Sequence, residues 1–111
     1  MDKLVVVIIT NDLGAIYNMA LMYAYNSKVK GWWKGVEIIF WGPATVVLAT
    51  TPTLQAEVKK CMEAGLEVSA CKRCAENYGV LEMVEPLGLN VYYIGEHLTE
   101  LLKSGAKVLT V

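Results

Sequence analysis

The run Cys71-Lys72-Arg73-Cys74 sets two thiols three residues apart with two cations between them. The apolar stretch Leu66 to Ala70 reads as a strand, and Lys72 to Tyr78 reads as a short helix closed by Gly79. Cys71 is thereby expected where a strand hands over to a helix. Free N–H groups and the positive end of the peptide dipoles favour an anion at such a place. Lys72 and Arg73 are expected to support that thiolate, the form of cysteine that acts as a nucleophile. Cys71 and Cys74 are therefore the candidate catalytic residues.

Other reactive groups carry less. Cys61 falls on one stripe with Leu54, Val58 and Met62, the pattern of a buried structural cysteine. A zinc site built from Cys71, Cys74, Cys61 and His97 would need ligands scattered along the chain to converge, so no metal site is assigned. His97 reads as a residue of a helix's first turn. Asn11-Asp12-Leu13-Gly14 holds a single glycine, too few for a phosphate-cradling loop. No cofactor is expected.

The elements that must position the thiols alternate along the chain. Leu4 to Ile9 is a continuous, mostly β-branched run suited to a strand buried on both faces. Thr10-Asn11-Asp12 then offers capping side chains to a helix from Leu13 to about Val29. That helix is apolar nearly all round, which predicts burial on two sides, the second by another subunit. Val36 to Trp41 reads as the second strand, ended by Gly42-Pro43. Thr45 to Thr50 reads as a short helix, and Thr51-Pro52 opens a longer one over about Leu54 to Ala64. Val80 to Glu85 is weakly helical, Leu89 to Ile94 a fourth strand, and Gly95-Glu96-His97 opens a helix with Leu98, Leu101 and Leu102 inward. Lys107 to Val111 closes the chain as a fifth strand.

This alternation predicts a single α/β domain over residues 1–111, a three-layer α/β/α sandwich around a mostly parallel sheet of about five strands. In such sheets the working crevice lies beyond the C-terminal strand ends. The residues expected to line it are Thr10, Asn11, Asp12, Gly42, Pro43 and Gly95, with Cys71 among them.

Composition narrows the partners. Of 111 residues, 55% are hydrophobic and only 19% charged, an excess that points to a sheet covered on both faces and to a homo-oligomer. The net charge of −1 and the lack of any long basic cluster argue against nucleic acid. The apolar runs fall short of the roughly 20 residues of a spanning helix, and the start Met1-Asp2-Lys3 is no signal peptide, so a cytoplasmic protein without a membrane partner is expected. An odd number of cysteines, three, suits a reducing compartment with free thiols.

The stretch from Ala70 to Val80, with a strand ending in Cys71 and a short helix closing on Gly79, resembles the DsrE/DsrF-like family, which includes the Tus sulfur-relay subunits and YchN-like proteins. The resemblance extends to Lys3–Thr10 with its Ala- and Met-rich helix, to Val36–Gly42, and to the leucine-rich ending Leu98–Ala106. It implies a compact, oligomeric α/β sandwich in which Cys71 accepts sulfane sulfur as a persulfide and passes it on, with sulfur donor and acceptor proteins or small thiols as partners. Cys74 departs from relay subunits that carry one cysteine there. Three readings stay open: a persulfide carrier using Cys71, a non-catalytic oligomeric module with Trp32-Trp33 as an interface anchor, and a dithiol oxidoreductase using Cys71 and Cys74.

Overall fold

The computed structural model describes residues 2–111. Its five strands are β1 (Lys3–Ile8), β2 (Gly35–Phe40), β3 (Glu67–Cys71), β4 (Asn90–Tyr92) and β5 (Lys107–Thr110). They form one sheet in the order β4-β3-β2-β1-β5, and every pairing is parallel. Parallel neighbours require crossovers, and helices supply them. The helical segments are α1 (Leu13–Ala15), a π turn (Ile16–Leu21), α2 (Met22–Val29), α3 (Ala44–Thr50), α4 (Pro52–Glu63), α5 (Lys72–Asn77), α6 (Leu81–Val84), a 3₁₀ turn (Glu85–Leu87) and α7 (Ile94–Lys103).

Side chains alternate across a strand, so each strand divides its residues between two cores. Leu4, Val6, Ile8, Val36, Ile38, Phe40, Val68 and Ala70 face the helices that run from Ile16 to Val84. Val5, Val7, Ile39 and Cys71 face α7, which contributes Ile94 and Leu101. The expected sandwich forms, with unequal outer layers: one face carries nearly all the helices, the other a single one.

Several elements differ in detail from the sequence reading. The helix from Leu13 to Val29 is widened by its π turn, which lets Ile16, Ala20, Leu21 and Ala24 all be buried against the sheet. Met19, Met22 and Val29 are left outside, 42%, 51% and 49% exposed, so within one chain this helix is covered on one side only. The fourth strand is shorter than the apolar run Leu89 to Ile94, because Tyr93 is the N-cap and Ile94 the first residue of α7. Leu102 points outward from α7, while Ile94, Leu98 and Leu101 form its inward stripe. Among the described residues no helix is long and apolar enough to cross a membrane.

The chain direction places the candidate site. Connections leaving β1, β2 and β3 pass over the crowded face, whereas the connection leaving β4 is α7 on the opposite face. Adjacent strands whose connections part to opposite sides leave a crevice at their C-terminal ends. Here those strands are β3 and β4, and Cys71 and Tyr92 are the paired residues at that end.

Candidate thiol site

Cys71 is both the last residue of β3 and the N-cap of α5, so no loop separates strand from helix. Its backbone is extended (φ −70°, ψ 116°), and its Sγ accepts the N–H of Cys74 at 3.4 Å. At the other end of α5, Gly79 adopts φ 71°, a left-handed conformation that glycine takes without steric cost. Gly79 and Val80 return their N–H groups to the carbonyls of Glu76 and Ala75. The Cys-to-Gly spacing seen in the sequence is thus the length of one short helix with both its caps.

The two thiols differ in access. Cys71 is 4% exposed and packs with Ile39, Ile94 and Tyr92, whereas Cys74, one turn along, is half-buried. The Gly42 N–H donates to Cys74 Sγ at 3.3 Å, which ties the end of β2 to the thiol pair. Gly42 can offer it because the backbone turns there through φ 60°, a conformation side chains resist. Burial pushes the Cys74 thiol above its ordinary value, and the neighbouring Cys71 adds to this; the Gly42 N–H and the Thr45 hydroxyl oppose both. Thr45, the second residue of α3, is fully buried.

The remaining expected site residues are spread around this centre. Lys72 Nζ and Arg73 Cζ stand 5.5 and 5.6 Å from the centre of the Tyr93 ring, in the range of cation–π attraction. Arg73 also approaches Glu76 at 3.9 Å, and Glu76 accepts the Tyr93 hydroxyl at 3.2 Å. Neither cation has a hydrogen bond or ion pair to a sulfur among the described residues. Asp12 caps the first helix through Gly14 N at 2.8 Å and Ala15 N at 3.3 Å, while Thr10 Oγ1 accepts the Asp12 N–H. Asn11 is exposed beside them, and no hydrogen bond joins these three residues to the thiols. Pro43 follows Gly42 as the N-cap of α3, and Gly95 lies exposed in the first turn of α7. Gly42 is therefore the crevice residue that the structure joins to a sulfur.

A charged cluster beneath α7 escaped the sequence reading. Glu37, wholly buried in β2, pairs with Lys3 Nζ at 2.8 Å and with His97 Nε2 at 2.6 Å. The His97 ring meets Tyr92 edge-on at 5.0 Å, and the Tyr92 hydroxyl bonds Ser69 Oγ at 3.0 Å. Burial lowers the Lys3 pKa, but the hydrogen bond and charge of Glu37 outweigh it and raise the ammonium's pKa overall. A lone acidic residue inside an apolar strand was the available signal. Its partners lie too far along the chain to be paired by reading.

Cys61 is buried in the crowded core, and burial pushes its thiol up to about 11, as suits a structural cysteine. Among the described residues no group of three or more His, Cys, Asp or Glu side chains is placed to hold a metal ion. Two surface grooves of about 560 and 640 Å³ lie elsewhere, against Tyr17, Tyr25 and Cys61 and against Met22, Trp32 and Leu109. Neither includes the thiol pair.

Comparison with solved structures supports the same architecture. A conserved protein of unknown function, BT1422 from Bacteroides thetaiotaomicron, is 40% identical over 99% of this chain and 95% of its own, with a TM-score of 0.94. The ychN protein of E. coli shares the fold at 21% identity over the whole of both chains, with a TM-score of 0.78. MTH1491 from Methanobacterium thermoautotrophicum, also of unknown function, shares it at 15% identity over both whole chains, with a TM-score of 0.72. No curated protein matches the chain. The sequence profile of the DsrE/DsrF-like family matches residues 3–111, from the first strand to the last residue, and the chain belongs to that family.

Proposed function

We propose that this protein is a sulfur carrier that holds sulfane sulfur as a persulfide on the Cys71–Cys74 pair, with Cys71 as the storing thiol. The observation that carries the reading is the pair itself. A shielded sulfur accepts the N–H of Cys74, whose own half-buried sulfur sits one helical turn away at the C-terminal edge of a parallel sheet. Family membership supports it, since the DsrE/DsrF-like family is associated with sulfur relay. In uptake a cysteine thiolate attacks the terminal sulfur of a donor persulfide. A new S–S bond forms, the donor's S–S bond breaks, and the donor leaves as its thiolate. Delivery is the reverse, onto an acceptor thiolate. Shielding at Cys71 protects stored sulfur from stray thiols. Donor and acceptor are proteins or small thiols of the cytoplasm.

Mass spectrometry after incubation with a persulfide donor tests this. Single-sulfur mass increments are expected on the peptide holding residues 71 and 74, and they should vanish in a Cys71→Ser, Cys74→Ser double variant. If the double variant loads like the parent, the reading fails. If Cys71→Ser alone loads and retains sulfur through a thiol wash as the parent does, Cys71 is not the store.

The closeness of the two sulfurs favours a second reading, a dithiol oxidoreductase. A redox titration that finds a reversible Cys71–Cys74 disulfide with a defined potential, in a protein that takes up no sulfur, would select it. Either chemistry is compatible with self-association, which we also propose. Met19, Met22 and Trp32 present an apolar surface around one groove, Trp32 being 56% exposed.

A further inference from the structure

Elsewhere in this chain cations settle on aromatic rings one at a time. Lys30 Nζ stands 5.8 Å from the centre of the Trp32 ring, and Lys60 Nζ 4.8 Å from that of Tyr25. Tyr93 gathers two, Lys72 at 5.5 Å and Arg73 at 5.6 Å. Drawing two like charges to one ring sets their repulsion against a modest attraction. One acid answers them: Glu76 approaches Arg73 at 3.9 Å and accepts the Tyr93 hydroxyl at 3.2 Å. Lys72 has no ion pair among the described residues. Two cations against one carboxylate leave the group net positive, and Arg73 and Tyr93 are both exposed.

Its place matters as much as its charge. Tyr92 pairs with Cys71 at the end of the sheet, so Tyr93 is the next residue at the mouth of the crevice. Cys74 packs into the same small core as Tyr92 and Ile94, the residues on either side of Tyr93. Along α5 it lies between Arg73 and Glu76. The ring and its cations thus border the more accessible of the two thiols.

We propose that Lys72, Arg73 and Tyr93 form a positive lip that selects small sulfur donors bearing a carboxylate close to their persulfide. This rests on the carrier reading for its use and deepens it by naming the class of donor. The lip holds the donor's carboxylate while Cys74 thiolate attacks the terminal S–H sulfur. An S–S bond forms on Cys74, which becomes the persulfide, the donor's S–S bond breaks, and the donor leaves as a carboxylate-bearing thiolate. A small donor fits better than an acidic protein face, because the lip is one ring with two side chains and the thiol beside it is half-buried. Lys72 and Arg73 are specificity-determining residues in this scheme.

The test compares iodoacetate with iodoacetamide, reagents alike in chemistry and different in charge, by residue-resolved alkylation of Cys74. The ratio of their rates in one protein cancels any change in the thiolate fraction. Lys72→Gln with Arg73→Gln is expected to lower the iodoacetate-to-iodoacetamide ratio roughly fivefold at low ionic strength, the effect of two unit charges acting through water on a third. Glu76→Gln should raise the ratio about twofold. Both shifts should fade in about 1 M salt, where charges are screened beyond roughly 3 Å. An unchanged ratio in the double variant would overturn the inference, even with both rates slowed, since the cations would then act on the sulfur rather than on the incoming anion. A second arm loads the parent from the persulfide of N-acetylcysteine and from that of its methyl ester. The acid is expected to load faster, and the double variant should remove its advantage. Equal loading from acid and ester overturns the small carboxylate donor. No loading from either, with the reagent ratio shifted as expected, defeats the carrier reading and leaves the lip standing.

Discussion

On the face covered by the helices from Ile16 to Val84, the sheet presents Val6, Ile8, Ile38 and Phe40 to an apolar core. On the face covered by α7 alone, the same strands present Glu37, Ser69 and Cys71 beside Val5, Val7 and Ile39. The difference follows from supply. One ten-residue helix brings few apolar side chains to a five-stranded sheet, so part of that face is settled by polar pairing instead. Glu37 is ion-paired to Lys3 and hydrogen-bonded to His97, and Ser69 is bonded by Tyr92. Cys71 shares the thinly covered face. The crowded face is where the fold is held, and the thin face, at its C-terminal rim, is where chemistry is within reach.

Neighbouring residues of β2 test that contrast most sharply. Glu37→Ala leaves Lys3 and His97 facing each other without the buried carboxylate and should cost about 3–5 kcal/mol. Combining Lys3→Met, Glu37→Leu and His97→Leu should recover most of this, as buried ion networks often exchange for apolar packing at little cost. Failure of the triple variant to recover would show that the cluster does more than fill its space. Ile38→Ala, one residue away and facing the crowded core, should cost about 2–5 kcal/mol with no such rescue. Urea unfolding of the four proteins reads all of these.

Alkaline pH acts on both faces with the same sign. The Cys61 thiol is raised to about 11 in the folded chain, so its contribution is whole below the unfolded value and is lost as pH climbs towards 11. Lys3, whose pKa is also raised by Glu37, contributes while charged, and that contribution is lost as pH rises through its folded value. Stability should therefore fall above about pH 9, and Cys61→Ala should flatten the first part of the decline even though it lowers stability at neutral pH. An unchanged slope in Cys61→Ala would show that the crowded face is wetter around Cys61 than its burial indicates. Light scattering tests self-association, and Met22→Lys should reduce the assembled mass; a parent that is monomeric at every concentration would refute it. The smallest effect is expected at Gly42, where an alanine forced to φ 60° costs about 1–2 kcal/mol. Gly42→Ala should also weaken the N–H contact to Cys74.

The sheet was legible because its strands are short apolar runs separated by turn residues, and α5 was legible because Cys71 and Gly79 bracket it. Ile94 misled the reading of β4: an apolar residue continues a strand pattern as readily as it opens a helix, and Tyr93 gives no side-chain cap as a signal. The cations beside Cys71 were legible as charges but not as directions. Tyr93, some twenty residues later, draws both. Glu37 and Thr45 were unreadable for a related reason, since what each faces is decided by which elements pack together. Local spacing reports caps and stripes; it does not report what lies across a sheet.

Because β3 passes into α5 at Cys71 itself, the Cys71 sulfur sits at a corner with no loop on either side to act as a hinge. On the carrier reading, no lid swings aside to admit a donor. Where the visitor is a protein, it brings its own projecting cysteine to the rim beside Cys74, and the choice among such proteins depends on how well the tip matches a fixed opening; a small thiol meets no such test.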